Sequence, residues 1–260
     1  MEFAVSAPLA APPASSRSEL AALLRLSAPL VGSNLLQMAI AAVDVIVVAR
    51  LGPLDLAAAT LGTFLFNLLA YAIIGLTGAS APLMAAELGR RMHAVREVRR
   101  SFRMAAWIGL LGSVPVVLLL WQGKALFRAA GQDAEVAARA GGFLRLLLIG
   151  LPLTVLAGVM RNAAAALGRP GWTFLITVAA LLLDIVANWA FVFGHLGVPA
   201  MGLDGSALAN VVSFAAMALA FWMVLRFDRK LRRYRLFGRW WRFDRARAWD
   251  IVRLGLPIMA

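Results

Sequence analysis

Six long stretches of this chain are almost free of charge, and that limits its possible folds more than any motif does. A helix needs about 20 mainly apolar residues to cross a bilayer. Residues 26–49 contain only Asp44, and 56–86, 104–123 and 205–225 contain no charged residue. Residues 143–167 carry Arg145 and Arg161 near their two ends, where long side chains can snorkel to water, and 172–193 carry only Asp184. The pattern predicts an all-α fold, a polytopic membrane helix bundle of six transmembrane helices. A seventh apolar stretch opens at Ile251, and only ten residues of it are present. In the long second stretch Gly75, Gly78 and Pro82 are candidate kink points.

Composition agrees with lipid as the main solvent. Hydrophobic residues make up 62% of the 260 and charged residues only 15%, where a soluble domain carries about a quarter. A compact soluble enzyme is excluded on that ground. The absence of cysteine removes disulfides and thiolate metal sites, and His93 and His195 stand too far from other ligands to suggest a metal centre. No phosphate loop, zinc motif or nucleophile elbow is present, so neither catalysis nor a cofactor or metal is expected.

The net charge of +13 has two readings. Spread over a soluble surface it would point to nucleic acid, whereas in a membrane protein it records orientation. Twenty of the 26 Lys and Arg residues fall before residue 26, in 89–103, at Arg169 and in 226–253, and only Arg50, Lys124, Arg128 and Arg139 fall in the alternate segments. This bias predicts a multi-pass protein of a bacterial-type plasma (inner) membrane with a cytoplasmic N-terminus, and no nucleic-acid partner. Residues 1–18, rich in Ala, Ser and Pro, read as a flexible N-terminal tail, with Ser16 and Glu19 at capping-box spacing before the first helix. Residues 226–250 interleave arginine with Tyr234, Phe237, Trp240, Trp241, Phe243 and Trp249, which predicts a basic amphipathic cytoplasmic linker, an interfacial helix on anionic membrane lipid.

Polar residues inside the apolar helices recur at helical spacing. The first helix carries Asn34, Gln37, Ala41 and Asp44, and the second Thr60, Thr63, Asn67 and Tyr71. The fifth carries Thr173, Thr177, Ala180, Asp184 and Asn188, and the sixth Ser206, Asn210, Ser213 and Met217. At 1.5 Å per residue, Asp44 and Asn188 each lie about 9 Å from the outer end of their helices and Asp184 about 6 Å deeper. The three are therefore expected to form one cluster that binds a proton or Na⁺, because two carboxylates close together in a low dielectric do not both stay ionised alone. Taken singly, Asn34, Asn67, Asn210 and Ser213 fit equally well as hydrogen-bonding glue between helices.

The order of short motifs resembles one family. Ala28-Pro29 through Gln37 to Val43-Asp44, Leu51-Gly52 and Leu56 to Gly62 resemble the first two helices of the MATE (multidrug and toxic compound extrusion) transporters. Leu126-Phe127 with Gly131-Gln132-Asp133 is similar to the segment between the family's helices 3 and 4. Arg161-Asn162 to Ala166-Leu167-Gly168-Arg169-Pro170 is similar to its turn between helices 4 and 5. Leu183-Asp184-Ile185, Asn188-Trp189, Phe193-Gly194, Gly197-Val198-Pro199 and Gly205 to Ala209 follow its helix 5 to 6 pattern. The resemblance implies a cation-coupled (Na⁺ or H⁺) antiporter that exports organic, often cationic, compounds by alternating access between two six-helix lobes. It also implies ion or proton coupling at Asp44, Asp184 and Asn188, and a substrate cavity lined by Asn34, Gln37, Asn67, Tyr71 and Asn210, with Pro29 as a hinge. The helix 5 pair departs from the family's Asn-x-x-x-Asp order, with the acid on the first member. Residues 24–30 realign with 252–258 at an offset of 228, where the family's second lobe begins.

The chain is then expected to comprise the tail 1–18, a six-helix N-lobe 19–225, the linker 226–250 and a truncated start of the C-lobe at 251–260, with a missing C-terminal lobe as partner. The small-molecule partner implied is a drug or toxic organic compound. Two alternatives stand beside it. One is a flippase for a lipid-linked substrate, which would favour cations inside the cavity where the stripes here carry acids. The other is a membrane fragment that transports nothing.

Overall fold

The computed structural model describes residues 16–90, 94–238 and 240–259, and side chains for 27–90, 94–238 and 240–257. The tail expected over 1–18 lies mostly outside the described residues, as do the Ser16 and Glu19 side chains. Among the described residues the regular structure is helical: α1 Ser16–Ala49, α2 Pro53–Gly78, α3 Ser80–Arg90, α4 Val95–Leu120, α5 Gly123–Ala129, α6 Ala134–Ala166, α7 Pro170–Phe193, α8 Gly202–Phe227 and α9 Arg245–Met259, with one 3-10 turn at Arg232–Tyr234. Six of the spans, counting α2 and α3 as one, are long and apolar enough to cross a membrane.

α6 is the axis of the bundle. It packs against α2, α3, α4, α5, α7 and α8, and small residues make up half of its buried face: Ala137, Ala140, Gly141, Gly150, Ala157, Gly158, Ala163 and Ala164. Small side chains let helix backbones approach closely, which is how helices associate where lipid removes the hydrophobic drive. Two apolar clusters result. One, around Phe66, Phe143, Leu144 and Leu148, fills the half near the short loops after α1 and α7. The other, around Met84, Phe102, Met160 and Phe221, fills the arginine-rich half. α1 is the opposite case. Its main contacts among the described residues are with α7, α2 and α8, and Val31, Leu35, Met38, Val45 and Ile46 on it are exposed.

The α7–α8 hairpin positions the polar residues described below. Gly194 caps α7 in the left-handed region at φ 76°, its N–H donating to Ala190 O at 3.1 Å. Met201 N then donates back to Phe191 O at 2.9 Å, and Gly205 lies so close to that carbonyl that a Cβ would strike it. Glycine at these two points sets the register of α8 on α7.

Several boundaries differ from expectation for local reasons. The second span breaks at Ala79, directly after Gly78, so the kink falls among the residues expected to make it. α4 opens with a charged turn at Val95 and stops at Leu120, and Gly123 starts the separate short helix α5. α6 begins nine residues before the expected start at residue 143, because Asp133 caps it by accepting from Glu135 N at 2.8 Å. Arg139, in that extra length, pairs with Asp55 at 2.6 Å and Glu135 at 3.0 Å.

The linker differs more substantially: 226–250 does not form one amphipathic helix. α8 runs to Phe227, where Asp228 turns the chain by accepting from Lys230 N at 2.9 Å and Leu231 N at 3.3 Å. Arg235 then takes a left-handed conformation, φ 46°. Such side-chain-to-backbone bonds offer the chain an alternative to helix. Leu231, Tyr234 and Leu236 are buried, Phe237 meets Phe102 edge-on at 5.5 Å, and Trp107 Nε1 donates to Trp240 O at 3.0 Å. Trp241, Phe243 and Trp249 remain exposed.

Ion pairs fasten the end of this segment to the bundle. Asp244 pairs with Arg100 of α4, and Arg247 reaches Glu87 of α3 at 3.3 Å and Ser101 Oγ at 2.9 Å. The Arg100 guanidinium holds the Asp244 carboxyl below its ordinary pKa, against the opposing effect of burial. A depressed carboxyl contributes stability above its unfolded pKa, about 3.9, and loses it as pH falls through the folded value. Asp244→Asn should therefore lower stability at pH 7 by up to about 1 kcal/mol, the range for a partly exposed pair. Thermal melts of detergent-solubilised protein at pH 7 and pH 3 check this, and the gap between wild type and variant should shrink at the lower pH.

Candidate functional site

The expected acidic cluster forms where α1, α7 and α8 meet. Asp184 and Asn188 stand one helical turn apart on the buried face of α7, and both are fully inaccessible. The Asn188 amide bridges the two acids, Nδ2 lying 2.9 Å from Asp44 Oδ1 and 3.0 Å from Asp184 Oδ2, with the Asp184 carbonyl at 3.1 Å. From α8, Asn210 Nδ2 donates to the other Asp44 oxygen at 3.1 Å and Ser213 Oγ donates to Asp184 Oδ1 at 3.0 Å. Each carboxylate oxygen thus receives one protein donor. The Oδ1 of Asn188 and the Oγ of Ser206 are buried with no hydrogen-bond partner among the described residues. The cluster is rich in oxygen acceptors and poor in protons, a composition suited to a hard cation or an added proton.

Beside it lies a cavity of about 360 Å³, within the range of drug-sized sites. Asp44, Gln37, Thr60, Asn67, Tyr71, Ser206 and Asn210 line it together with Phe66, Phe143 and Phe214. Asp184 and Asn188 lie behind this wall. Asp44 alone among the carboxylates belongs to both places, since it lines the cavity and accepts from Asn188.

Of the residues expected to face a substrate cavity, Gln37, Asn67, Tyr71 and Asn210 do so, and Asn34 does not. Asn34 is exposed. At 100° per residue it stands about 80° around α1 from Asp44, whereas Gln37 stands only about 20° away. Pro29 sits inside an unbroken α1, its carbonyl accepting from Ser33 Oγ at 2.6 Å.

Two placements at the site escaped the sequence reading. Ser213 was visible as part of a polar stripe, but its bond to Asp184 depends on the α7–α8 register. Arg161, expected to snorkel outward, lines the cavity instead. It lies on the α6 face that also presents Phe143, Leu147 and Thr154, and that shared periodicity was the available signal. The cavity wall therefore carries a cation as well as the acid of the α1 polar stripe. Arg145, eleven residues into α6, is exposed and its Nε donates to Trp121 O at 3.0 Å.

The MatE family pattern matches residues 29–190, more than half of the chain. The chain belongs to the MatE family. It is 42% identical over 255 residues to the probable multidrug resistance protein NorM of Mesorhizobium japonicum, which covers 98% of this chain and 55% of that protein. It is 36% identical over 240 residues to the protein of the same name from Brucella suis, covering 92% and 51% respectively. Among solved structures, an outward-facing multidrug resistance MATE transporter of the MOP superfamily matches with a TM-score of 0.79 at 25% identity, over 92% of this chain and 51% of that one. This MatE chain spans about half the length of the relatives it matches. With its six spans it is a multi-pass membrane protein.

In this MatE lobe Asn188 should matter more to stability than any other side chain at the site. Asn188→Leu strands two buried acids and should cost about 1–3 kcal/mol, lowering Tm by about 2–10 °C. Asn34→Ala should leave Tm within error. Thermal unfolding of the purified variants in detergent is the check.

Proposed function

We propose that this lobe belongs to a cation-coupled exporter of organic compounds, and that Asp44, Asn188 and Asp184 couple uptake of Na⁺ or H⁺ to release of the compound. One observation carries the reading: Asp44 is shared between a drug-sized cavity and a buried, acceptor-rich cluster. A cation or proton that enters the cluster changes the charge facing the cavity, and a bound organic cation changes the charge facing the cluster. The two occupants then compete through one side chain, which is a coupling free energy in the strict sense. The names of the NorM relatives, probable multidrug resistance proteins, support the same class of cargo.

The packing supplies the moving part. Among the described residues α1 has fewer buried side chains than the other long helices, and the Asp44 bonds to Asn188 and Asn210 tie it to α7 and α8. Occupation of the cluster by a cation redirects those oxygens and changes how α1 seats, with Pro29 as its hinge. A ligand shifts such an equilibrium only by its differential affinity for the two arrangements. The bonds at Asp44 provide that difference. The arginine bias supports a cytoplasmic N-terminus and a cytoplasmic α9 end, in a bacterial-type inner membrane.

Drug accumulation in an efflux-deficient bacterial host expressing the whole gene product tests the assignment. Asp44→Asn and Asp184→Asn are each expected to abolish export and to remove its dependence on an imposed Na⁺ or H⁺ gradient in vesicles. Undiminished efflux by Asp184→Asn would take Asp184 out of the mechanism.

A further inference from the structure

We infer that an anionic phospholipid binds on the outside of α6, its phosphate held by Arg145 beside Trp121 and its acyl chains lying on the apolar surface one turn further into the span. The site is separate from the cavity, and it does not depend on the export reading.

Arg145 is exposed, and among the described residues it forms no ion pair. At 100° per residue it stands about 160–180° around α6 from Leu147 and Thr154, so it faces away from the cavity that those two residues line. Its depth follows from two helices independently. From Arg145 to Ala166, the end of α6, is about 32 Å at 1.5 Å per residue. From Arg103, the last charged residue of α4, to Trp121, whose carbonyl accepts from Arg145, is about 27 Å. The hydrocarbon core of a bilayer is about 30 Å thick, so both helices bring this pair to headgroup level at the end of the bundle with the short loops after α1 and α7. On the orientation proposed above, that is the outer leaflet. Tryptophan is at home at this level, and an arginine there meets phosphate.

The guanidinium is held in place from one side. Arg145 Nε donates to Trp121 O at 3.0 Å, and its central carbon lies 5.9 Å from the centroid of the Trp121 ring. That fixes the plane and leaves the four N–H groups of the terminal nitrogens, a fork that matches two phosphate oxygens. The start of α5 brings a second cation to the same side of α6. Gly141, one turn outward from Arg145, lies so close to the backbone of Lys124 that a Cβ there would stand 2.8 Å from its nitrogen. Lys124 is exposed and, among the described residues, outside any ion pair, whereas nearby Arg139 is already neutralised by Asp55 and Glu135. The uncompensated charge at this level is therefore positive, which favours a net-negative headgroup over a zwitterionic one. One turn inward the surface becomes apolar: Ile149 on α6 is 59% exposed and Leu118 on α4 is 68% exposed. A phosphodiester with acyl chains matches both parts of this surface, and a soluble anion matches only the first.

Bromine on an acyl chain quenches tryptophan fluorescence on contact, so dibrominated phosphatidylglycerol and phosphatidylcholine with the same chains report this site in the purified whole gene product in mixed detergent micelles. The share of quenching due to Trp121 is the difference between each protein and its Trp121→Phe counterpart, which keeps the carbonyl that Arg145 uses. In wild type that share should half-saturate at about a tenfold lower mole fraction of phosphatidylglycerol than of phosphatidylcholine. Arg145→Gln should bring the two lipids within about twofold of each other, and Arg145→Lys should restore part of the preference, since it keeps the charge without the fork. Quenching by phosphatidylcholine should stay unchanged in both variants, which also shows that they are folded. No preference in wild type, a preference that survives Arg145→Gln, or an equal loss of quenching by both lipids would overturn the proposal. Relief of the phosphatidylglycerol signal by inorganic phosphate at matched ionic strength would overturn it too, by giving the guanidinium to a free anion.

Discussion

The amide of Asn188 is the contact on which the interior of this lobe depends. It faces one oxygen of Asp44 and one of Asp184 from a position with no access to solvent. Without it, two acids on different helices would repel across a low-dielectric gap, and α1 would lose a principal tie to α7. The remaining oxygens are served by Asn210 and Ser213 of α8, so three helices share one polar junction. Polar atoms in a membrane interior are costly when unsatisfied, which makes such a junction specific: a slip of either helix by one turn would strand several groups at once.

That junction can be so demanding because its supports are rigid. Gly194 and Gly205 set α8 on α7 through backbone contacts alone, and α6 holds α8 from behind with a face of small residues. α1 stands outside this frame with an exposed apolar face. Rigidity and looseness are thus distributed unevenly, and the polar junction lies on the boundary between them.

Much of this was legible in the sequence. The six spans follow from the absence of charge, and the inward placement of Asp44, Asp184 and Asn188 follows from the cost of leaving them in lipid. What the sequence obscured has physical causes. Asn34 looked like part of a stripe because three-and-four spacing tolerates drift, and ten residues of drift carried it off the cavity face. Arg161 was assigned outward because a long side chain near a helix end has two destinations, and only packing decides between them. The linker looked like an amphipathic helix by composition, but Asp228 and Arg235 supply turn chemistry, and the cluster of Phe102, Trp107 and Met160 offers its aromatics an apolar surface inside the protein. Composition shows which residues seek an apolar surface, not whether that surface is lipid or protein.

The placement of Asp44 sets the limits of the proposed exchange. Asp184 is sealed behind the cavity wall, so a substrate in the cavity acts on it only through Asp44, Asn188 or a shift of α8. Deep burial raises the electrostatic effect of whatever binds the cluster, since the field of a cation there is poorly screened. It also restricts what can bind, because the donors and acceptors are fixed by backbone register and the occupant must be small. The cavity imposes the opposite condition, with apolar and aromatic walls that accept many shapes. A tight, exacting cluster beside a permissive cavity, joined at one carboxylate, allows a fixed coupling ion with a varied cargo. Under the proposed exchange, a varied cargo requires that few of its contacts reach the cluster directly, and in this lobe Asp44 and its partner Asn210 are the side chains positioned to carry them.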